Sequence, residues 1–173
     1  MTIRPPKQPL TKDQQQVMAA FTTFITAQRR FYSHPWIIDP VYISLILPKS
    51  PYGIIETDDT GLIGPQVIHV LSVDAPTAHQ ATVAYCVDDR ALRYLGQDGT
   101  IDIPGPSGDR RRSTTIGYED TQFQLTTAAA IDGKPSPTPR WIASDGGSSD
   151  GAKECRGLAA SPPPPAPTPT NTP

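Results

Sequence analysis

The stretch TKDQQQVMAAFTTFITAQRRFYSHP, residues 11–35, decides the fold. Thr11 and Gln14 have the spacing of a helical capping box, and Pro35 is the natural stop for the segment. Between them the following side chains recur at helical spacing, with one polar member: Val17, Met18, Phe21, Phe24, Ile25, Gln28, Phe31, Tyr32. We therefore predict a helix over about residues 11–33 whose broad apolar face packs against a sheet.

The segments that follow predict that sheet. A second short helix is expected to begin at Asp39-Pro40, and residues 49–65 are expected to form a loop with a short strand at Ile54-Ile55. Period-two patterns then predict strands at 66–73, 80–88, within 110–131 and at 140–143. Residues 91–95 are expected to extend the strand 80–88, and residues 74–76 are expected to form a turn. Helices first and strands afterwards predict an α+β fold, with N-terminal helices packed on a curved antiparallel sheet.

The ends of the chain differ in composition from its middle. We predict an extended lead-in over 1–10, one α+β domain over 11–157 and a disordered tail over 158–173, because 161–173 is almost wholly proline, threonine and alanine. Such a tail can dock in aromatic grooves as a polyproline-type ligand, or it can serve as a spacer.

Charge and hydropathy exclude several functions. The chain of 173 residues has a formal net charge of −2, which gives no reason to expect binding to nucleic acid. Its apolar runs are all shorter than the roughly 20 residues of a transmembrane helix. The N-terminus lacks the apolar segment of a signal peptide, so a cytoplasmic location and the removal of an export segment both stay open.

Cys86 and Cys155 are the two cysteines, and their spacing fits neither a metal-ligand pair nor a CxxC redox motif. From spacing alone, a structural disulfide and two unrelated buried thiols are both open.

Three motifs together resemble a known family. They are ATVAYCVDD at 81–89, Arg140-Trp141 and the late Cys155, and they resemble actinobacterial secreted proteins and lipoproteins with a nuclear transport factor 2-like (NTF2-like, SnoaL-like or cystatin-like) fold. The resemblance covers about 11–157. It implies a cone in which a curved sheet wraps the first helix, and it implies that the two cysteines pair. Arg90 and Ala91 depart from the family's serine and tryptophan, and no export signal is visible.

Relatives of this fold include isomerases and dehydratases, which need a carboxylate base and a hydrogen-bond donor in one pocket. The available groups are His69, Tyr85, Asp88, Tyr118 and Asp145. In the predicted strand 80–88, Tyr85 and Asp88 point to opposite faces, and His69 stands alone among apolar neighbours. We therefore predict no catalytic residues and no cofactor.

Charged clusters also occur in the sequence. Adjacent strand residues such as Asp88 and Asp89 point to opposite sides, so we predict no metal site. Arg110-Arg111-Arg112 is interpreted as a solvated strand edge. The candidate pocket-lining residues, for which core packing is the alternative, are Phe21, Tyr32, Trp36, Tyr42, His69, Tyr85, Tyr118 and Trp141.

These observations favour a non-enzymatic accessory or interaction domain of the cell envelope or extracellular space, with a protein partner. One alternative is a scaffold subunit of a secretion, conjugation or phage-encoded assembly that forms a homodimer through its sheet face. Another is a small-molecule binder or isomerase that uses the cavity of the cone. A secreted or envelope location is expected, with a cytoplasmic one as the alternative.

Overall fold

The computed structural model describes residues 1–53, 60–103, 116–150, 153–159 and 162. The predicted first helix is present as α1, Lys12–Ser33. Its capping box forms: the Gln14 amide donates to Thr11 Oγ1 at 3.3 Å, and the Thr11 amide donates to Gln14 Oε1 at 2.9 Å. The helix ends before Pro35, where the His34 amide donates to the Phe31 carbonyl. The sequence prediction for this element is confirmed.

Seven strands and two further short helices complete the described elements. They are β1 Thr2–Arg4, α2 Pro40–Ile43, β2 Thr60–Ile63, β3 Val67–Thr77, β4 Gln80–Asp88, β5 Arg93–Gly96, β6 Ile116–Thr126, β7 Arg140–Asp150 and α3 Arg156–Ala159, with single 3-10 turns at Pro51–Gly53 and Lys153–Cys155. The main sheet has the order β1-β3-β4-β6-β7 and is antiparallel except for the parallel pair β1–β3. Strands β2 and β5 form a separate pair. The predicted α+β class, with helices on a curved and unclosed sheet, is confirmed.

The core lies between α1 and one face of the main sheet, which we call the inner face. On β4 this face carries Ala81, Val83, Tyr85 and Val87, all buried, as the period-two pattern predicted. The Phe21 ring of α1 lies 4.8 Å from the Tyr85 ring, between centroids. Residues of α1 and the inner face therefore form one continuous apolar cluster.

Strands β1 and β2 lie where no strand was predicted, and β5 pairs differently from the prediction. Strand β1 lies within the predicted lead-in 1–10, and β2 lies within the predicted loop 49–65. Strand β5 pairs with β2 and does not extend β4 as expected. Each has only three or four residues, too few for a period-two pattern to stand out, so tertiary pairing decides their structure.

Strand β3 is longer than predicted. Asp74-Ala75-Pro76 belongs to the strand and does not form the expected turn, which lies instead between Thr77 and Gln80. Pro76 is tolerated because β1 covers β3 only from Val67 to His69, so the outer edge of β3 needs no amide donor there.

Strand β7 is also longer than the predicted 140–143 and runs to Asp150 through a glycine- and serine-rich segment. At Gly146 the Tyr52 hydroxyl and the Asp120 carbonyl occupy the space that a Cβ would take. Glycine is thus required by close packing here, and its presence is not a sign of a loop.

Two more boundaries differ. Strand β6 ends at Thr126, so the predicted alternation through Ile131 stops five residues early. The spacing of Val41, Tyr42, Leu45 and Ile46 predicts a longer second helix, but α2 ends at Ile43 and Ile46 forms a bridge to Ala143 of β7. The predicted strand at Ile54-Ile55, the Arg110–Arg112 run and the proline-rich segment 163–173 lie outside the described residues.

Replacing Phe21 with alanine should lower the free energy of unfolding by about 3–5 kcal/mol, because its ring is fully buried between α1 and the inner face. Urea denaturation measures the change. Thr23→Ala, an exposed position on the same helix, is the matched control and should change stability by under about 0.5 kcal/mol. Equal effects of the two substitutions would contradict this packing.

Candidate functional site

Hydroxyl groups meet a carboxylate on the inner face of the sheet. Tyr85 of β4 and Glu119 of β6 are register partners, so their side chains share a face. The Tyr85 hydroxyl donates to Glu119 Oε2 at 2.9 Å and lies 3.1 Å from Thr121 Oγ1. The Tyr52 hydroxyl lies 3.2 Å from the same Thr121 Oγ1 and donates to the Asp120 carbonyl at 3.2 Å. We call Tyr52, Tyr85, Glu119 and Thr121 the hydroxyl cluster.

Electrostatics keep both phenols of the hydroxyl cluster protonated. Burial, and then the negative charge of Glu119, raise the pKa of Tyr85 well above its usual value. Burial also raises the pKa of Tyr52 to about 12, although its hydrogen bond with Thr121 opposes the shift. Both groups are therefore neutral hydrogen-bond donors at physiological pH.

A phenol beside a carboxylate can in principle catalyse isomerisation, with the carboxylate as base and the phenol as donor to an enolate oxygen. Here the Tyr85 proton is directed at Glu119 itself, and the Tyr85 side chain is 0% exposed. The two groups therefore satisfy each other, as buried polar groups usually do. Of the four residues of the hydroxyl cluster, only Glu119 and Tyr52 are partly exposed to solvent.

Sequence reasoning missed three members of the hydroxyl cluster: Glu119, Thr121 and Tyr52. Phe123 is buried on the inner face, and strand β6 pairs with β4 without a bulge from Gln80 to Asp88. Counting back by twos from Phe123 would therefore have placed Thr121 and Glu119 inward. Tyr52 gave no such signal, because it comes from the 3-10 turn beside β7.

Other predicted chemical groups lie on the opposite face, which we call the outer face. His69, Cys86 and Tyr118 are neighbours in register across β3, β4 and β6, so His69 and Tyr118 are separated from Tyr85 by the sheet itself. Partial burial and then the positive charge of Arg4 lower the pKa of His69. His69 is thus neutral at pH 7, and the sheet keeps it out of reach of Tyr85.

Asp88 forms an ion pair on the outer face. Its Oδ2 accepts from Arg90 Nη2 at 2.8 Å, and its Oδ1 accepts from Arg90 Nε at 2.9 Å. Burial alone would raise the pKa of Asp88, but the hydrogen bonds from Arg90 outweigh it and lower that pKa. Asp89 instead accepts from the Gln66 side chain at 2.7 Å. Among the described residues no group of three or more histidine, cysteine or acidic side chains could hold a metal ion.

The eight candidate pocket-lining residues do not line one pocket. Phe21, Tyr42 and Tyr85 are buried in the core, where Tyr42 stacks on Phe31 at 5.2 Å between ring centroids. Trp141 lines a depression of about 510 Å³ at the N-terminal end of α1. The remaining four are His69 and Tyr118 on the outer face, and Tyr32 and Trp36 at the corner between α1 and α2.

A groove of about 810 Å³ lies beside the outer edge of β3. One wall is the end of β1 and the segment after it, with Arg4 and Lys7, and another is the C-terminal segment, with Glu154 and Leu158. The disulfide between Cys86 and Cys155, with a Cα–Cα distance of 5.7 Å, joins that second wall to β4. The pairing implied by the family resemblance is therefore present.

Comparisons with known proteins add little to this geometry. No protein-family model matches the chain, and no curated protein matches it. A solved structure of a ketosteroid isomerase-like protein from Erwinia carotovora atroseptica SCRI1043 is similar, with 13% sequence identity, a TM-score of 0.48, and 83% of this chain and 99% of that chain covered. A likeness at this level carries no functional argument. The actinobacterial, secreted and lipoprotein parts of the sequence interpretation stay predictions.

Removing one hydroxyl tests the hydroxyl cluster. Tyr85→Phe should lower the free energy of unfolding by about 1–2 kcal/mol, since Glu119 and Thr121 both lose a buried partner. Tyr118→Phe, on the outer face, is the control and should have a smaller effect. Chemical denaturation of both variants measures the difference, and an unchanged stability in Tyr85→Phe would contradict the described contacts.

The Asp88–Arg90 pair predicts a pH dependence. A carboxylate whose pKa is lowered in the folded state stabilises the protein above the unfolded pKa of about 3.9, and that stabilisation is lost as the pH falls through the folded pKa. Asp88→Asn should therefore cost about 1–3 kcal/mol at pH 7 and less at about pH 3, below the unfolded pKa. Asp74→Asn, an exposed site on the same sheet, is the control for denaturation curves at both pH values. A penalty that does not change with pH would refute the ion pair.

Proposed function

We propose that this chain is a non-enzymatic interaction domain that works outside the reducing cytoplasm, in the cell envelope or the extracellular space. The observation that carries the proposal is the buried disulfide: Cys86 is 0% and Cys155 is 1% exposed, and the bond ties the last described helix to the centre of the sheet. Stable structural disulfides belong to oxidising compartments. Of the described helices, none combines the length and the apolar character needed to cross a bilayer.

The dispersal of reactive groups supports a non-enzymatic role. Tyr85 and Glu119 bond to each other on the inner face, whereas His69 and the Asp88–Arg90 pair lie on the outer face. A catalytic pocket needs its acid, base and substrate within hydrogen-bond reach of one another. The sheet separates these groups instead.

The groove beside the outer edge of β3 fits a protein partner better than it fits a compact metabolite. The groove presents the cations Arg4 and Lys7 on one wall and Glu154 on the other, beside the apolar side chains of Leu71 and Leu158. Charges of both signs beside apolar side chains are typical of surfaces that bind extended polypeptide. The groove is therefore our candidate for the partner's binding site.

One observation favours a second function, a small-molecule binder or isomerase. The hydroxyl cluster places a carboxylate and two neutral phenols on the inner face, and a Cβ added at Gly117, two residues before Glu119, would meet no atom within 4 Å. A hydroxylated or keto ligand that reached Glu119 would find both a base and donors there.

Thiol counting tests the proposed compartment. Protein isolated from its native source should contain no free thiol, and the double variant Cys86→Ala/Cys155→Ala should lose about 4 kcal/mol of stability, because the bond closes a loop of 69 residues. A reducing agent should destabilise the native chain and leave the double variant unchanged, which is the matched control. Two free thiols in the native protein would overturn the proposal.

An assay with a β,γ-unsaturated ketone separates the two functions. A non-enzymatic domain gives no conversion above buffer. Conversion that Glu119→Gln abolishes and Glu154→Gln leaves intact would favour the isomerase and contradict the leading proposal.

A further inference from the structure

The outer edge of β3 is covered at two places, with a gap between them. Strand β1 pairs with Val67–His69 and ends there, since the next residues, Pro5-Pro6, have no amide proton to donate. Further along, the Gln14 side chain of α1 donates to the Val73 carbonyl at 2.8 Å, so a side chain takes the place of a strand. Among the described strands, none pairs with this edge at 70–72.

The groove of about 810 Å³ lies at this gap and presents main-chain groups to solvent. The β3–β4 register shifts between Val70 and Ser72, so Leu71 has no partner on β4 and its peptide groups lie outside the ladder. Val70 lines the groove although its side chain is buried in the core, so its main chain faces the groove. Uncovered peptide groups at a strand edge are what an extended polypeptide pairs with when it adds a strand to a sheet.

Among the described residues, Arg4 and Lys7 of the groove have no acidic partner. Both side chains are exposed. The positive charge of Arg4 helps to lower the pKa of His69, which also lines the groove, so the Arg4 guanidinium lies close to it. An arginine can hold one carboxylate through two parallel hydrogen bonds. The groove therefore offers a place for a single carboxylate beside the strand edge.

Glu154 limits the kind of anion that the groove accepts. Binding to duplex nucleic acid typically uses about 6–10 phosphate contacts, and binding to anionic lipid uses clusters of about 4–8 basic residues. This groove has two cations, and the Glu154 carboxylate in the same groove repels a polyanion. A polypeptide with one acidic side chain fits better, because its uncharged neighbours can contact Leu71 and Leu158.

Neighbouring segments outside the described residues do not reverse this charge. Residues 151–152 and 160–161, on either side of the C-terminal wall in sequence, have no charged side chain, and 104–115, which lead into β6, carry three arginines and one aspartate. The acidic segment 54–59 begins after Gly53, whose turn contacts β7 at the opposite edge of the main sheet.

We propose that the groove binds an extended segment of a partner protein as an added strand along residues 70–72 of β3, with one aspartate or glutamate of that segment held by Arg4 and Lys7. The inference rests on the proposed interaction function and names the chemistry of the partner. The disulfide keeps the C-terminal wall in place, so the groove is complete before the partner arrives and little ordering is needed on binding.

Selection from a phage-displayed library of random octapeptides on the full chain tests the carboxylate. The selected peptides should contain aspartate and glutamate at least twofold more often than the unselected library. Arg4→Gln/Lys7→Gln should abolish this enrichment. Lys153→Gln/Arg156→Gln is the matched control, because it removes one lysine and one arginine that do not line the groove, and it should keep the enrichment. The urea midpoints of both variants should match the wild type, since all four side chains are exposed.

The most enriched peptide, made synthetically, tests the binding mode by fluorescence polarisation. Replacing its acidic residue with the amide should raise Kd on the order of tenfold for the wild-type chain and leave Kd unchanged for Arg4→Gln/Lys7→Gln. Glu154→Gln should tighten binding of the acidic peptide. Methylation of successive backbone nitrogens of the peptide should weaken binding at alternate positions only, because a strand bonds to its neighbour through every second residue.

Three results would overturn the inference: no acidic enrichment, enrichment that Arg4→Gln/Lys7→Gln retains, or methylation effects that do not alternate. Failure of the proposed function gives a different result. Peptides that bind without an acidic preference, and whose binding Leu71→Arg abolishes, would end this inference and leave the groove as an interaction site. Free thiols in the native protein would instead overturn the proposed compartment, whatever the peptides show.

Discussion

The packing of α1 against the inner face is the interaction on which the rest of this structure depends. The face of α1 that bears Val17, Phe21 and Phe24 covers Val83 and Tyr85 of β4. A sheet with an uncovered apolar face cannot be stable alone, and neither can a helix with such a stripe. Because α1 covers the inner face, the outer face is free to carry polar and charged groups.

This division into two faces also divides the chemistry. Tyr85, Glu119 and Thr121 point toward α1, whereas His69, Asp88 and Tyr118 point away from it. Side chains on opposite faces of a strand cannot converge on one substrate. The strand register therefore disperses the groups that sequence reasoning considered together.

Sequence reasoning predicted α1, its caps and β4 because their patterns are long and regular. The alternation of Ala81, Val83, Tyr85 and Val87 was enough to assign the faces of β4 before the structure was known. Sequence reasoning could not predict β1, because its three residues become a strand only through pairing with Val67–His69. It also ended the last strand at residue 143, although Gly146 packs against Tyr52 and belongs to β7. Local propensity is silent or misleading where tertiary contact decides the conformation.

The hydroxyl cluster, too, could be predicted only in part, because tertiary contacts assemble it. Its tyrosine was identified from the sequence, but its partner Glu119 was not, since register between distant strands is set by turns and bulges and not by either strand alone.

The most direct test of the account is a two-dimensional nuclear Overhauser spectrum of the full chain. The ring protons of Phe21 and Tyr85 should give cross-peaks, because their ring centroids lie 4.8 Å apart across the interface between α1 and the inner face. Ring protons of Phe24 and Phe123 should do the same, at 6.0 Å between centroids. Aromatic resonances of α1 that are assigned, sharp and without contacts to β4 or β6 would contradict the central packing.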